Sequence, residues 1–298
     1  MNKETNIIRQ FISPLLAKWY IRIFTFLLLA LICFPLFSKL DDVMGFAFGY
    51  MMCCLIPSVL IESMRKSSSP LLFGLTFTRR MPLHFLSGFL LAALNILLLG
   101  ISAYLMSGKI VFSTPPTDLV LKLALYTFYL AAFEELLFHG EIFQSIQEKF
   151  GNVLTVILMS VVFALAHLPN EFMNGLFFLN LILGGILFAL MLIKTNSLWL
   201  GISFHFFWNF FLYVFLASPV SGFQSDLSYV DVGIVFLPET LFGGTIGVEG
   251  GIITTIILLL NCYFVIRFMK PSPNVSAKLF KRYYAESELI YSEDKTKK

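Results

Sequence analysis

The chain has 298 residues, 58% of them hydrophobic and 13% charged, with a formal net charge of +3 and 34 phenylalanines. An ordinary soluble domain has roughly 25% charged residues, so this composition excludes a soluble enzyme and a nucleic-acid-binding protein. It assigns an integral membrane protein whose constant partner is the lipid bilayer. The four cysteines, Cys33, Cys53, Cys54 and Cys262, lie in apolar runs without metal-ligand or oxidoreductase spacing, and read as small buried hydrophobes.

In chain order, apolar stretches occur at about 19–37, 43–62, 83–106, 118–143, 153–168, 173–193, 197–217 and 248–269. At 1.5 Å per residue, each is long enough, or nearly so, to cross a hydrocarbon layer about 30 Å thick. The first is too long for the apolar part of a signal peptide and lacks a small-residue cleavage site, so it reads as a span. The fold class expected is all-α, a polytopic membrane protein of about eight transmembrane helices. Residues 1–70 hold the first two, 71–270 form the core, and 271–298 make a polar cytoplasmic tail. Lys3, Arg9, Lys18, Arg22, Arg65, Lys66, Arg79, Arg80, Lys149 and Lys194 fall on alternate loops or span ends, and the tail is also basic. The opposite loops hold only Lys39 and Lys109, so the positive-inside rule puts both termini in the cytoplasm.

The fourth stretch carries Glu134, Glu135 and His139 within an otherwise apolar run. Each ionisable group at membrane depth costs roughly 2.5–3.5 kcal/mol on insertion scales, which favours a polar cavity with a task. Glu135 and His139 are four apart and share a helix face, while Glu134 points about 100° away. Two carboxylates so close in low dielectric are not expected both to ionise, a condition suited to general acid–base chemistry. The plainer alternative is a polar clamp between helices.

His167 ends the fifth stretch. It and Glu134 are equidistant from a turn near Phe150 and Gly151, which puts the two at one depth in an antiparallel hairpin. Alternatively, His167 is an interfacial anchor. His205 and Asn209, four apart in the seventh stretch, share a face among aromatics; an Asn there can orient the ring or donate to an oxyanion, or simply bond another helix. His84, beside Arg79 and Arg80, reads as interfacial. A proton carrier or transporter would also place Glu and His in the membrane, but no inverted repeat of broken spans is visible.

Glu-Glu-x-x-x-Arg, then Phe-x-x-x-His, then His-x-x-x-Asn on successive membrane helices is the motif set that this pattern resembles. It belongs to the CPBP family of CAAX-protease and bacteriocin-processing (Abi) intramembrane proteases. The residues that carry the resemblance are Glu134, Glu135 and His139, then Phe163 and His167, then His205 and Asn209. The segments 73–76, 185–199 and 243–251 look like the family's approaches to its core. The resemblance implies an endopeptidase cutting near the C-terminus of a membrane-associated protein or peptide. It implies Glu134 as the base activating water, His167 as its assistant, and His205 and Asn209 as holders of the oxyanion, with Glu135 and His139 supporting. No cofactor is obligatory in that scheme, although Glu134, His167 and His205 are the candidate ligands if zinc is bound.

One departure stands out. The motif arginine is His139 here, so its hold on Glu135 depends on the histidine's protonation. The alternative reading is therefore a weak or silent member acting in bacteriocin self-immunity or as a membrane signalling partner.

Overall fold

The computed structural model describes residues 12–37, 43–65, 73–75, 77–170 and 173–270. The tail and the basic residues Lys3, Arg9, Lys39 and Lys66 lie outside the described residues. The long helices are α1 (Trp19–Phe37), α2 (Val43–Met64), α3 (Met81–Ser107), α4 (Thr117–His139), α5 (Glu141–Phe150), α6 (Asn152–Ala166), α7 (Gly175–Thr195) and α8 (Trp199–Leu216). A four-residue turn of helix, α9 (Glu239–Phe242), precedes the last long one, α10 (Ile252–Phe268). The fold is all-α apart from a small antiparallel pair, β1 (Val111–Phe112) with β2 (Val230–Asp231).

Five of these helices, α1, α2, α3, α7 and α8, are long and apolar enough to cross a membrane. Helices α6 and α10 are apolar but only 15 and 17 residues long. Helix α4 has the length, 23 residues, but carries Asp118, Lys122, Glu134 and Glu135. Thus three of the eight expected spans are either short or interrupted by charge.

Helix α8 is the central rod. Leu200, Ile202, Phe204, Leu212 and Val214 are all buried, because α3 packs along one side and α4 crosses another. Helix α2 lies between α1 and α4, and α7 lies between α6 and α10. Leu90, Leu94, Leu97, Leu98 and Ile101 of α3 are exposed, the pattern of a face turned to lipid.

Several boundaries differ from the sequence expectation. The fourth stretch does not run to 143: α4 stops at His139, and Gly140 turns the chain into α5. A Cβ at Gly140 would lie 2.2 Å from the Leu136 carbonyl oxygen, so only glycine makes that break. The last helix begins at Ile252, after a 3-10 turn over Val248–Gly250.

Arg22 and Arg65, read above as charges flanking spans, are instead drawn into the protein. Arg22 is fully buried, with its guanidinium 3.4 Å from Glu141 and 2.9 Å from Glu148, and it also bonds Ser145. Arg65 stands 2.8 Å from Glu62 and 3.4 Å from Glu148. The amphipathic helix α5 brings its carboxylates inward and ties α1 and α2 to the end of α4. Burial in low dielectric is tolerated because each charge meets an opposite one.

Candidate active site

The break after His139 fixes the register of α4 so that Glu135 faces α8 and Glu134 faces a cavity. Glu135 is sealed: its side chain is 1% exposed and that of His139 is 0% exposed. His139 Nδ1 stands 3.0 Å from Glu135 Oε2, one turn along the same helix. On the other side, His205 Nδ1 donates to Glu135 Oε1 at 3.2 Å. Gly201 leaves the space for this carboxylate, since a Cβ there would come within 3.0 Å of Glu135 Oε2. Phe188 stacks on the His205 ring at 4.8 Å and fixes its plane.

Because Nδ1 of His205 is engaged, its Nε2 edge faces outward, 3.8 Å from Glu134 Oε2. His167, which caps the C-terminal end of α6, is oriented in the same manner by a different partner. Its Nδ1 donates to the Phe163 carbonyl at 2.8 Å, and its Nε2 lies 3.7 Å from the same Glu134 oxygen. Two imidazole edges from separate helices thus converge on one carboxylate oxygen, each held by a bond on its far side. The matched depth of Glu134 and His167 expected from the sequence is found, with α5 as part of the connection.

Glu134, His167 and Asn209 share a cavity of about 320 Å³ with Tyr126, Asn170, Tyr213 and Ser221. A smaller chamber of about 70 Å³ continues past His205 toward Asn180, Trp208 and Glu249. All six residues singled out in the sequence therefore fall in one place: Glu134, His167, His205 and Asn209 on the cavities, Glu135 and His139 behind them. His84 is on α3 and lines neither. The neighbours not foreseen include Asn180, Trp208 and Glu249 around the smaller chamber. Glu249 was the legible one, a carboxylate closing a glycine-rich run directly before an apolar helix.

Donors around a tetrahedral zinc at about 2.0–2.2 Å would stand about 3.4 Å apart. The Glu134 contacts of 3.7 and 3.8 Å are wider. Among the described residues, no group of three or more His, Cys, Asp or Glu side chains is arranged to hold a metal. As placed, the two histidine edges stand a few tenths of an ångström further from Glu134 than donors sharing one zinc would.

A family model described as Type II CAAX prenyl endopeptidase Rce1-like matches residues 116–211, the segment that holds all six of these residues. A CAAX prenyl protease 2 of Methanococcus maripaludis is 30% identical over 153 residues, 46% of this chain and 53% of that protein. The chain therefore spans about half the length of that curated relative. No solved structure matches. Both matches support the CPBP, or CAAX protease, family.

Proposed function

We propose that this chain, similar over its central third to CAAX prenyl endopeptidases, is an intramembrane endopeptidase. It would cut near the C-terminus of a membrane-associated protein or peptide, and a prenylated CAAX-type peptide is the first substrate to test. The observation that carries this reading is the convergence of His167 Nε2 and His205 Nε2 on Glu134 Oε2, at 3.7 and 3.8 Å, beside a cavity.

One water at hydrogen-bonding distance, about 2.8 Å, fits between atoms spaced in this way. Glu134 takes a proton from that water as its oxygen attacks the scissile carbonyl carbon, with His167 orienting the water. The negative charge that develops on the carbonyl oxygen is met by the Nε2 edge of His205 and the Asn209 amide. Glu135, bonded to His205 Nδ1, balances a proton on that ring. Glu134 then returns its proton to the departing amine as the carbon–nitrogen bond breaks. The scheme uses no metal, which is part of the proposal.

Both termini are proposed to be cytoplasmic. The described ends that carry Arg79, Arg80, Lys149, Lys194 and Arg267 lie where helices α3, α5, α7, α8 and α10 begin or finish on one side. Contacts such as Leu198 to Gly74 and Lys194 to Ile266 join these ends.

The competing reading, a silent member acting in self-immunity or signalling, draws on His139, whose Nε2 is buried without a hydrogen-bond partner among the described residues. Purified protein in micelles, given a farnesylated CAAX peptide, separates the two. The proposal expects release of a C-terminal peptide that is lost in His205→Ala. Equal release by both proteins, or none by the wild type, would favour the competing reading.

A further inference from the structure

We propose that Glu249 is a positioning residue of this site, holding the turn at Ser221 as the outer wall of the cavity and the Trp208–Asn209 step of α8 in register with it. Both carboxylate oxygens are in use. Oε1 accepts from the Trp208 indole Nε1 at 3.2 Å. Oε2 accepts from the Ser221 backbone N–H at 2.6 Å and from its hydroxyl at 3.3 Å.

The base of Glu249 is itself anchored. Its carbonyl accepts from Asn180 Nδ2 at 2.7 Å, and Asn180 Oδ1 accepts from Thr255 at 2.7 Å. The residue is thus the crossing point of α7, α8, the entrance to α10 and the turn before β2. No other described side chain bonds both Trp208 and Ser221.

The turn needs such a partner. Ser221 has φ of +51°, a left-handed conformation that non-glycine residues rarely adopt. Val220 and Phe223 close the turn by bonding each other at 3.0 and 2.9 Å, and Gly222 N–H reaches the Ile246 carbonyl at 3.2 Å. Val220, Ser221 and Phe223 then form wall for the larger cavity, facing Tyr126 and Tyr213. The bond that the Ser221 N–H donates to Glu249 Oε2, at 2.6 Å, is the shortest of these links. Trp208 precedes Asn209 directly, so the same carboxylate sets the helix position from which Asn209 enters the cavity.

The kinetic side of this proposal rests on the endopeptidase reading; the spectroscopic side does not. Trp19 and Trp199 are replaced by Phe so that Trp208 alone emits, and Glu249→Gln is compared with this background. Excitation moves indole electron density away from the nitrogen-bearing ring, so a carboxylate at Nε1 shifts emission to the red. Glu249→Gln should shift it to the blue. With the farnesylated CAAX peptide, Glu249→Gln should raise KM about tenfold and lower kcat less, because an outer wall that drifts weakens binding more than chemistry. Glu249→Ala should exceed Glu249→Gln in both readouts, since the amide oxygen can still accept one bond. Unchanged Trp208 emission would overturn the proposal, as would kinetic constants within about twofold of the parent protein. A parent protein that cleaves no such peptide would count against the proposed function, while the emission shift still decides the clamp.

Discussion

His205 donates from Nδ1 to Oε1 of Glu135 at 3.2 Å, so the second carboxylate of α4 holds the ring whose opposite edge faces the first. Adjacent glutamates on one helix thereby take different parts. Glu135 is sealed, with Oε1 bonded by His205 and Oε2 lying 3.0 Å from His139 Nδ1, whereas Glu134 opens onto the cavity.

Glu135→Gln tests that division. The amide can accept from His205 but carries no charge to balance a proton on the ring. Residues that orient a catalytic or ligating histidine typically account for about 10–100-fold in activity. The expected result is a fall of that size in kcat with a small change in KM, measured with the prenylated peptide. A change confined to KM would assign Glu135 to binding.

His139→Arg tests the departure from the family motif. An arginine is charged at every working pH and can clamp Glu135 with two bonds, where histidine offers one per ring edge. Activity above neutral pH should be maintained or raised. A sharp loss there would show that the space around residue 139, walled by Phe143, Phe163 and Phe188, is shaped for imidazole.

Glu141 gives a pH dependence of stability rather than of chemistry. Burial pushes its carboxyl up to about 7, against the opposing pull of Arg22. A folded pKa above the unfolded value means that the folded protein holds a proton the unfolded chain releases. The resulting stability is fully present below about pH 4.5 and is lost as pH rises through about 7. The loss is about 3 kcal/mol at most. Unfolding at pH 5 and pH 8 should show this fall, and Glu141→Gln should remove most of it; an unchanged slope would refute the assignment.

Zinc is the other point on which chemistry can be read directly. The proposed mechanism predicts that dialysis against a strong chelator leaves cleavage within about twofold, because the general base and oxyanion donors are side chains. Loss of activity restored by added zinc would require the histidines to close on Glu134.

Much of the site was legible because the bilayer makes polar residues expensive. Glu134, His167, His205 and Asn209 stood out against apolar runs, and spacing alone put Glu135 with His139 and matched Glu134 to His167. The spans at α1, α2 and α7 were visible from length and apolarity. What spacing did not give was the break at Gly140, since a helix pattern can continue through glycine and only the close Leu136 carbonyl forces the turn. For the same reason α5 was read as part of a span and a loop. Arg22 and Arg65 looked like boundary charges because their partners, Glu141 and Glu148, are more than eighty residues away. Glu249 was visible as a carboxylate in a glycine-rich run, but its bonds to Trp208 and Ser221, 41 and 28 residues away, depend on how the loop after α8 returns.

The most direct test of the central claim compares the C-terminal membrane peptidomes of cells carrying the wild-type protein and Glu134→Gln. Removing a general base typically costs about 10²–10⁴-fold in rate. The account predicts that one set of C-terminal fragments, present with the wild type, disappears with Glu134→Gln while the protein still inserts and accumulates to the same level. Identical peptidomes at equal protein levels would contradict it.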